Sequence, residues 1–217
     1  FDGAGHTIGG LYIESTNGTG YGLFGYTASG ASVANFTLAN ASLRAQKAVG
    51  LAVGSNAGLV SSVTVRDAAV TGAEQLGGIV GANSGTVEAC CNERASLVRS
   101  HSDTKDGYFG GLVGNLTKGA LTDSYNLGTV DTAFYVGGVV GKGGSGTAVR
   151  NCYNAGTVPS GKKALLGNGS ATVENCYYLD ACGASDTNGK SKTIGQLQTL
   201  APTLGGSFAP NPGGFPM

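Results

Sequence analysis

The 217-residue chain has no tryptophan, one methionine, two histidines and five prolines, and only 12% of its residues are charged. Thirteen Lys and Arg balance thirteen Asp and Glu. With no basic cluster to neutralise a row of phosphates, nucleic acid is not an expected partner. No apolar run approaches the ~20 residues a spanning helix needs, so this segment is not expected to insert into a membrane. No secretory leader is recognisable. The chain opens at Phe1 in what reads as the middle of a repeat, and is expected to be a fragment of a longer protein. His6 and His101 stand far apart and no His-Glu-x-x-His occurs. A zinc site needs three or four converging ligands, so no metal, no cofactor and no catalytic residue is expected.

What the chain has instead is glycine, 40 residues of it, beside 41% hydrophobic residues. There is no Gly-X-Y period and little proline, which excludes a collagen-like chain. The glycines are expected at turns and close backbone approaches in a protein that buries a core.

A repeat organises them. Gly-hydrophobic-hydrophobic-Gly occurs at 22–25, 78–81, 111–114 and 138–141, with looser copies at 50–54 and 164–167. The closing glycines step by 29, 27, 33, 27 and 26 residues. After each comes an apolar residue, in the series Val33, Val60, Val87, Leu121, Val149 and Val173. Three positions further on stand Phe36, Val63, Cys90, Ser124, Cys152 and Cys176, and two beyond those Leu38, Val65, Asn92, Asn126, Asn154 and Tyr178. Ile8, Leu11 and Ile13 fit one repeat earlier, making about seven copies. Strands this short cannot bury a face alone; stacked in register they share one core. A period near 27 is too short for a propeller blade of ~40–45 residues, and helical periodicity is absent. The expected fold is all-β, a parallel β-helix (β-solenoid) of about seven coils over residues 1–180. Residues 181–217 are expected to be an irregular cap or tail, with a capping box at Thr193 and Gln196 opening a short helix over Ile194, Leu197 and Leu200. Between the first two inward positions runs a kink column, Asn35, Ser62, Ala89, Asp123, Asn151 and Asn175, expected in left-handed geometry with side chains bonding from coil to coil.

These residues resemble the bacterial GLUG-motif repeat, a glycine-rich unit. The matches are Gly110-Gly111-Leu112-Val113-Gly114 with Asp123-Ser124-Tyr125-Asn126-Leu127-Gly128-Thr129-Val130, and Gly137-Gly138-Val139-Val140-Gly141 with Asn151-Cys152-Tyr153-Asn154-Ala155-Gly156-Thr157-Val158. Residues 1–11 look like that repeat's lead-in, and Gly214-Phe215-Pro216-Met217 like its closing segment. The resemblance implies an architectural role in large bacterial surface or secreted proteins, among them adhesin-like chains and non-catalytic regions of IgA-specific metallopeptidases. It carries no functional residue.

Four groups are candidates for chemistry. Asp123 and Asp131, with Asp103 and Asp106 above them, are the best carboxylate pair for polysaccharide cleavage, which requires two acids ~5–9.5 Å apart. The plainer expectation is solvated turn residues. Cys90, Cys152 and Cys176 share an inward column; with Cys91 and Cys182 they make an odd count, and reduced, buried thiols are expected. Tyr125, Tyr153 and Tyr177 stack in consecutive coils at an outward-leaning position, either a structural ladder or a platform for sugar rings, with Thr122, Asn126 and Asn154 beside them. The polar insertion near Arg99–Gly107 carries His101, Asp103 and Asp106, a loop that insertions in solenoids place on one face, often the binding one. Asp103 and Asp106 offer oxygens to a Ca²⁺, but not at EF-hand spacing.

The expectation is thus a non-enzymatic structural or interaction module, stalk or adhesin-like, located extracellularly or on the bacterial cell surface. If it binds a partner, a host or cell-surface glycan is expected ahead of a protein. The alternatives are an accessory region of a secreted peptidase, which a metal motif in flanking sequence would reveal, and a polysaccharide-acting β-helix enzyme, which needs a cleft of converging carboxylates.

Overall fold

The computed structural model describes residues 1–93, 97–100, 107–132, 134–205, 208–211 and 214–217. It is a parallel β-solenoid of about six turns. At ~4.8 Å per coil the stack rises about 30 Å. A seventh turn is begun by Thr172–Glu174 and Tyr177–Leu179. Each of the first five turns contributes to a bent sheet and then to three further sheets; the sixth contributes strands to the bent sheet and to the last of these alone.

The bent sheet contains the long strands Asp2–Gly9, Ser32–Ala39 and Leu59–Arg66. In later coils each is replaced by two short pieces, such as Ala120–Thr122 and Tyr125–Asn126. The bend is the expected kink column. Asn35, Ser62, Ala89, Asp123, Asn151 and Asn175 all have φ between 50° and 59°. This left-handed conformation brings the second inward residue of each repeat, Phe36, Val63, Cys90, Ser124, Cys152 or Cys176, back to the inner face. Asn suits it because a short polar side chain tolerates αL and can bond locally. Asn151 Nδ2 donates to Asp123 Oδ1 (2.9 Å) and Asn175 Nδ2 to Asn151 Oδ1 (2.8 Å), tying successive coils at the corner.

The inward columns stack as the repeat predicts. Val33 pairs with Val60, Val60 with Val87, Val87 with Leu121, Leu121 with Val149 and Val149 with Val173. All but the terminal Val173 are buried. The third column changes chemistry along the rod: Leu38 and Val65 are followed by buried Asn92, Asn126 and Asn154. Asn92 Nδ2 donates to Asn126 Oδ1, and Asn126 Nδ2 to Asn154 Oδ1, each at 2.8 Å. Asn126 also accepts from Gly128 N and donates to Gly128 O, an internal turn that closes the corner. Pairing offsets the cost of burying these amides; at the head of the ladder Asn92 Oδ1 is buried with no partner among the described residues. The second glycine of each Gly-Gly doublet makes room for it, since a Cβ at Gly111 or Gly138 would overlap the amide of Asn126 or Asn154. Where this position is Leu51, the third column of the next coil carries Val65 in place of an amide.

The last turn is short. Register steps along the outward column that contains the tyrosines are 27 residues from Thr37 to Thr64 but 13 from Tyr177 to Lys190. Val158 N donates to Cys182 O (2.8 Å), and Lys163 bridges to Ser185. Asp186 Oδ2 accepts from Leu165 N (3.0 Å) and Leu166 N (2.9 Å). The segment 180–192 therefore supplies hydrogen bonds to much of the last coil's edge. Beyond it come two short helices, α1 (Ile194–Gln198) and α2 (Ala201–Leu204). The capping box is present: Gln196 N donates to Thr193 Oγ1 and Thr193 N to Gln196 Oε1. α1 packs on the last two strands of the bent sheet, Tyr177–Leu179 and Lys190–Lys192, as a short helical cap, and α2 continues over the tyrosine column on the side of the rod.

Candidate functional site

One outward column of the bent sheet runs the length of the solenoid. In register it reads Thr7, Thr37, Thr64, Cys91, Tyr125, Tyr153, Tyr177 and Lys190. Its two halves have opposite fates.

In the C-terminal half the rings stack as expected: Tyr125 and Tyr153 lie 5.1 Å apart and within 4° of parallel. They do not form an open platform. Tyr125, Tyr153 and Tyr177 are only 7%, 0% and 6% exposed. The chain's own tail lies over them through Leu197, Leu200, Ala201, Leu204, Phe208 and Phe215. Tyr153 Oη donates to Pro216 O at 2.6 Å, and Asn175 Nδ2 donates to Thr203 O at 2.9 Å. Phe208 meets both stacked rings, at 6.2 and 5.9 Å. Burial, with Cys91 alongside, pushes the Tyr125 phenol well above its ordinary range. The expected platform is thus corrected to a buried seam: the tail is apolar where the column is aromatic, and covering the rings removes that surface from water. Of the expected helpers, Asn126 and Asn154 point into the core ladder and face no ligand.

The N-terminal half is open. There a groove of about 380 Å³ is lined by Asp2, Ala4, Gly5, Asn35, Phe36, Thr37, Ser62 and Thr64. One wall is a bulge in the first strand. Asp2 pairs with Ala34 and His6 with Phe36, so the first strand spends two more residues than its neighbour over that step. Within it Ala4 and Gly5 have φ of 49° and 77°. Asp2 Oδ1 accepts from Ala4 N (2.8 Å) and Asn35 Nδ2 (3.1 Å), which together hold its carboxyl below the ordinary value and fix its orientation. Sequence reasoning placed Asn35 at the kink but missed this groove; the signal was Gly3-Ala4-Gly5, three small residues where the next strand has Asn35 alone.

The remaining candidates do not converge. Asp123 sits at the bend, bonded to Asn151, whereas Asp131 lies in a different sheet, in the strand Thr129–Asp131, in register with Arg99. His101, Asp103 and Asp106 lie outside the described residues. Among the described residues no group of three His, Cys, Asp or Glu side chains is placed to hold a metal, and no helix is long and apolar enough to cross a membrane. All five cysteines are unpaired and buried. Burial pushes the Cys90 thiol up to about 12 and raises Cys91, Cys152 and Cys182. A thiol held protonated in this way is a poor nucleophile.

Comparisons with protein-family models, with curated proteins and with solved structures find no match to this chain.

Proposed function

We propose that this chain is a non-catalytic structural and interaction module of a bacterial surface or secreted protein, a rod segment whose contacts are with glycans. The observation that supports this reading is how the chemically capable side chains are used. Asn92, Asn126 and Asn154 ladder the core, Asn151 and Asn175 lace the corner, the thiols are buried, Tyr125, Tyr153 and Tyr177 lie under the tail, and Asp123 and Asp186 bond coils together. What remains outside is a low-charge surface rich in Ser, Thr, Asn and Gly, suited to weak, repeated hydrogen bonding with hydroxylated ligands. One such contact is expected at about millimolar Kd, near −4 kcal/mol. Many copies on one surface raise the apparent affinity by roughly 10²–10⁴.

The test uses beads carrying many copies of the chain, washed over glycan-coated and bare surfaces, alongside a reducing-end assay on a polysaccharide panel. Retention on glycan with no new reducing ends is expected. Release of reducing ends would replace this reading with the hydrolase alternative. Equal retention on bare and coated surfaces would remove the glycan part.

A further inference from the structure

The groove at the N-terminal half of the bent sheet has the features of a built site. Its wall is a strand bulge, a device that re-aims side chains and is enriched beside functional sites. Within the bulge Ala4 is held at φ 49°, the left-handed corner geometry that Ala48 and Ala89 also adopt, which turns the strand away from its neighbour and opens the groove. The space, about 380 Å³, is within the ~300–1,000 Å³ typical of small-molecule sites.

The chemistry of the lining is selective. Asp2 contributes a carboxylate whose Oδ1 is anchored by Ala4 N and Asn35 Nδ2, leaving Oδ2 directed to other donors. Thr37, Ser62 and Thr64 add three hydroxyls on neighbouring coils, and Asn35 adds an amide. No Lys or Arg lines the groove, so an anionic ligand would meet the Asp2 carboxylate with only the Phe1 ammonium, itself bonded to Ser32 O, as a neighbouring cation. A single carboxylate is also too few for a Ca²⁺ site, which takes six to eight oxygens with several carboxylates among them. A ligand dense in hydroxyl groups and without charge matches: each hydroxyl both donates and accepts, so vicinal pairs serve the carboxylate and the threonines together.

We propose that the groove formed by Asp2, Ala4, Asn35, Thr37, Ser62 and Thr64 binds a neutral pyranose unit of a glycan. This rests on the glycan-contact reading above and gives it a location, on the opposite half of the face from the tyrosines. Asp2 and the Ala4 backbone clamp one side of the sugar, and the hydroxyls of Thr37 and Thr64 meet its other edge.

The experiment is a titration of the ¹⁵N-labelled chain, observed by NMR, with the methyl glycosides of glucose, galactose and mannose and with N-acetylglucosamine, taken to several times a millimolar Kd. N-acetylneuraminic acid is the charged comparison. Saturable shifts are expected at Asp2, Ala4, Asn35, Thr37 and Thr64 for at least one neutral sugar and not for the acid. Asp2→Asn and the near-isosteric double variant Thr37→Val/Thr64→Val should each weaken binding at least tenfold, with amide dispersion elsewhere unchanged. Saturable binding that both variants leave intact would overturn this site while sparing the glycan reading. Binding of the acid as strong as that of the neutral sugars would overturn the assignment of ligand class. The absence of saturable shifts with every sugar would overturn both the site and the glycan reading.

Discussion

The two halves of one outward column share a backbone and a register yet meet different surroundings. In the N-terminal half the column is Thr7, Thr37 and Thr64, and the position two residues on reads Gly9, Ala39 and Arg66. In the C-terminal half the column is Tyr125, Tyr153 and Tyr177, and that neighbouring position reads Leu127, Ala155 and Leu179, which pack against the same cluster as the tail. Cys91 stands between them, its thiol donating to Thr64 Oγ1 at 3.3 Å. The difference shows that a solenoid's backbone dictates only which residues point outward. Whether an outward residue meets water depends on what else in the chain has an apolar face to lay over it.

Removing that cover has the largest expected effect. Each tyrosine has ~150–250 Å² of surface to hide, so deleting residues 193–217 exposes an apolar strip above the few hundred Å² that soluble monomers usually tolerate. The shortened chain should self-associate and bind a hydrophobic dye while keeping its strand signal in circular dichroism. Sugar shifts at Thr37 and Thr64 should persist, because the tail's apolar residues cluster with Cys91, Tyr125, Tyr153 and Tyr177 instead. A tailless chain that stays monomeric at high concentration would mean that the tyrosine seam does not need its cover, and the contrast between the halves would fail.

Much of this was legible in the residues before any coordinates. The period near 27 located the inward columns because each coil must return the same apolar positions to one core, and the pairing of Val87, Leu121 and Val149 follows it residue by residue. The left-handed bend was legible from Asn35, Asp123, Asn151 and Asn175, since few other side chains accept φ near 50°. The capping box was legible because Thr193 and Gln196 satisfy each other locally. The burial of the tyrosines was not, because it depends on a segment with no repeat folding back along the rod, a contact that no local pattern encodes. The buried amides were half legible. Their column was identified, but their pairing with the second glycine, Gly78, Gly111 or Gly138, emerges only when neighbouring sides of the coil are seen together. The groove depends on a bulge of two residues, which a template of aligned positions treats as noise.

The core beneath the junction supplies the next effect. Leu121 is wholly buried, between Val87 below and Val149 above. Leu121→Ala should cost about 2–5 kcal/mol, since the void cannot be refilled by so regular a stack. In a solenoid each coil leans on its neighbours, so both halves of the column should weaken together. Denaturant unfolding followed at a probe in each half measures this. A loss confined to one half would mean that the two regions differ in stability as well as in cover.

The smallest expected effect sharpens the comparison at its boundary. Ala89 is exposed, holds φ 50°, and lies in the corner column between Ser62 and Asp123. On its C-terminal side the corner is laced by amides donating toward earlier coils, and the run ends at Asp123, which accepts from Asn151. Ala has no side chain to continue it and tolerates the left-handed region poorly. Ala89→Asn should relieve the backbone and present an amide donor to Asp123, raising stability by about 0.5–1.5 kcal/mol. Ala89→Gly separates the two contributions: it relieves the backbone equally but adds freedom to the unfolded chain, worth roughly 0.4–1 kcal/mol in the opposite direction. The expected order is therefore Asn above Gly, with Gly near the parent. Equal stabilisation by Gly and Asn would show that the corner amides are held by the bend and add nothing to it, and that the open and covered halves are joined by the core alone.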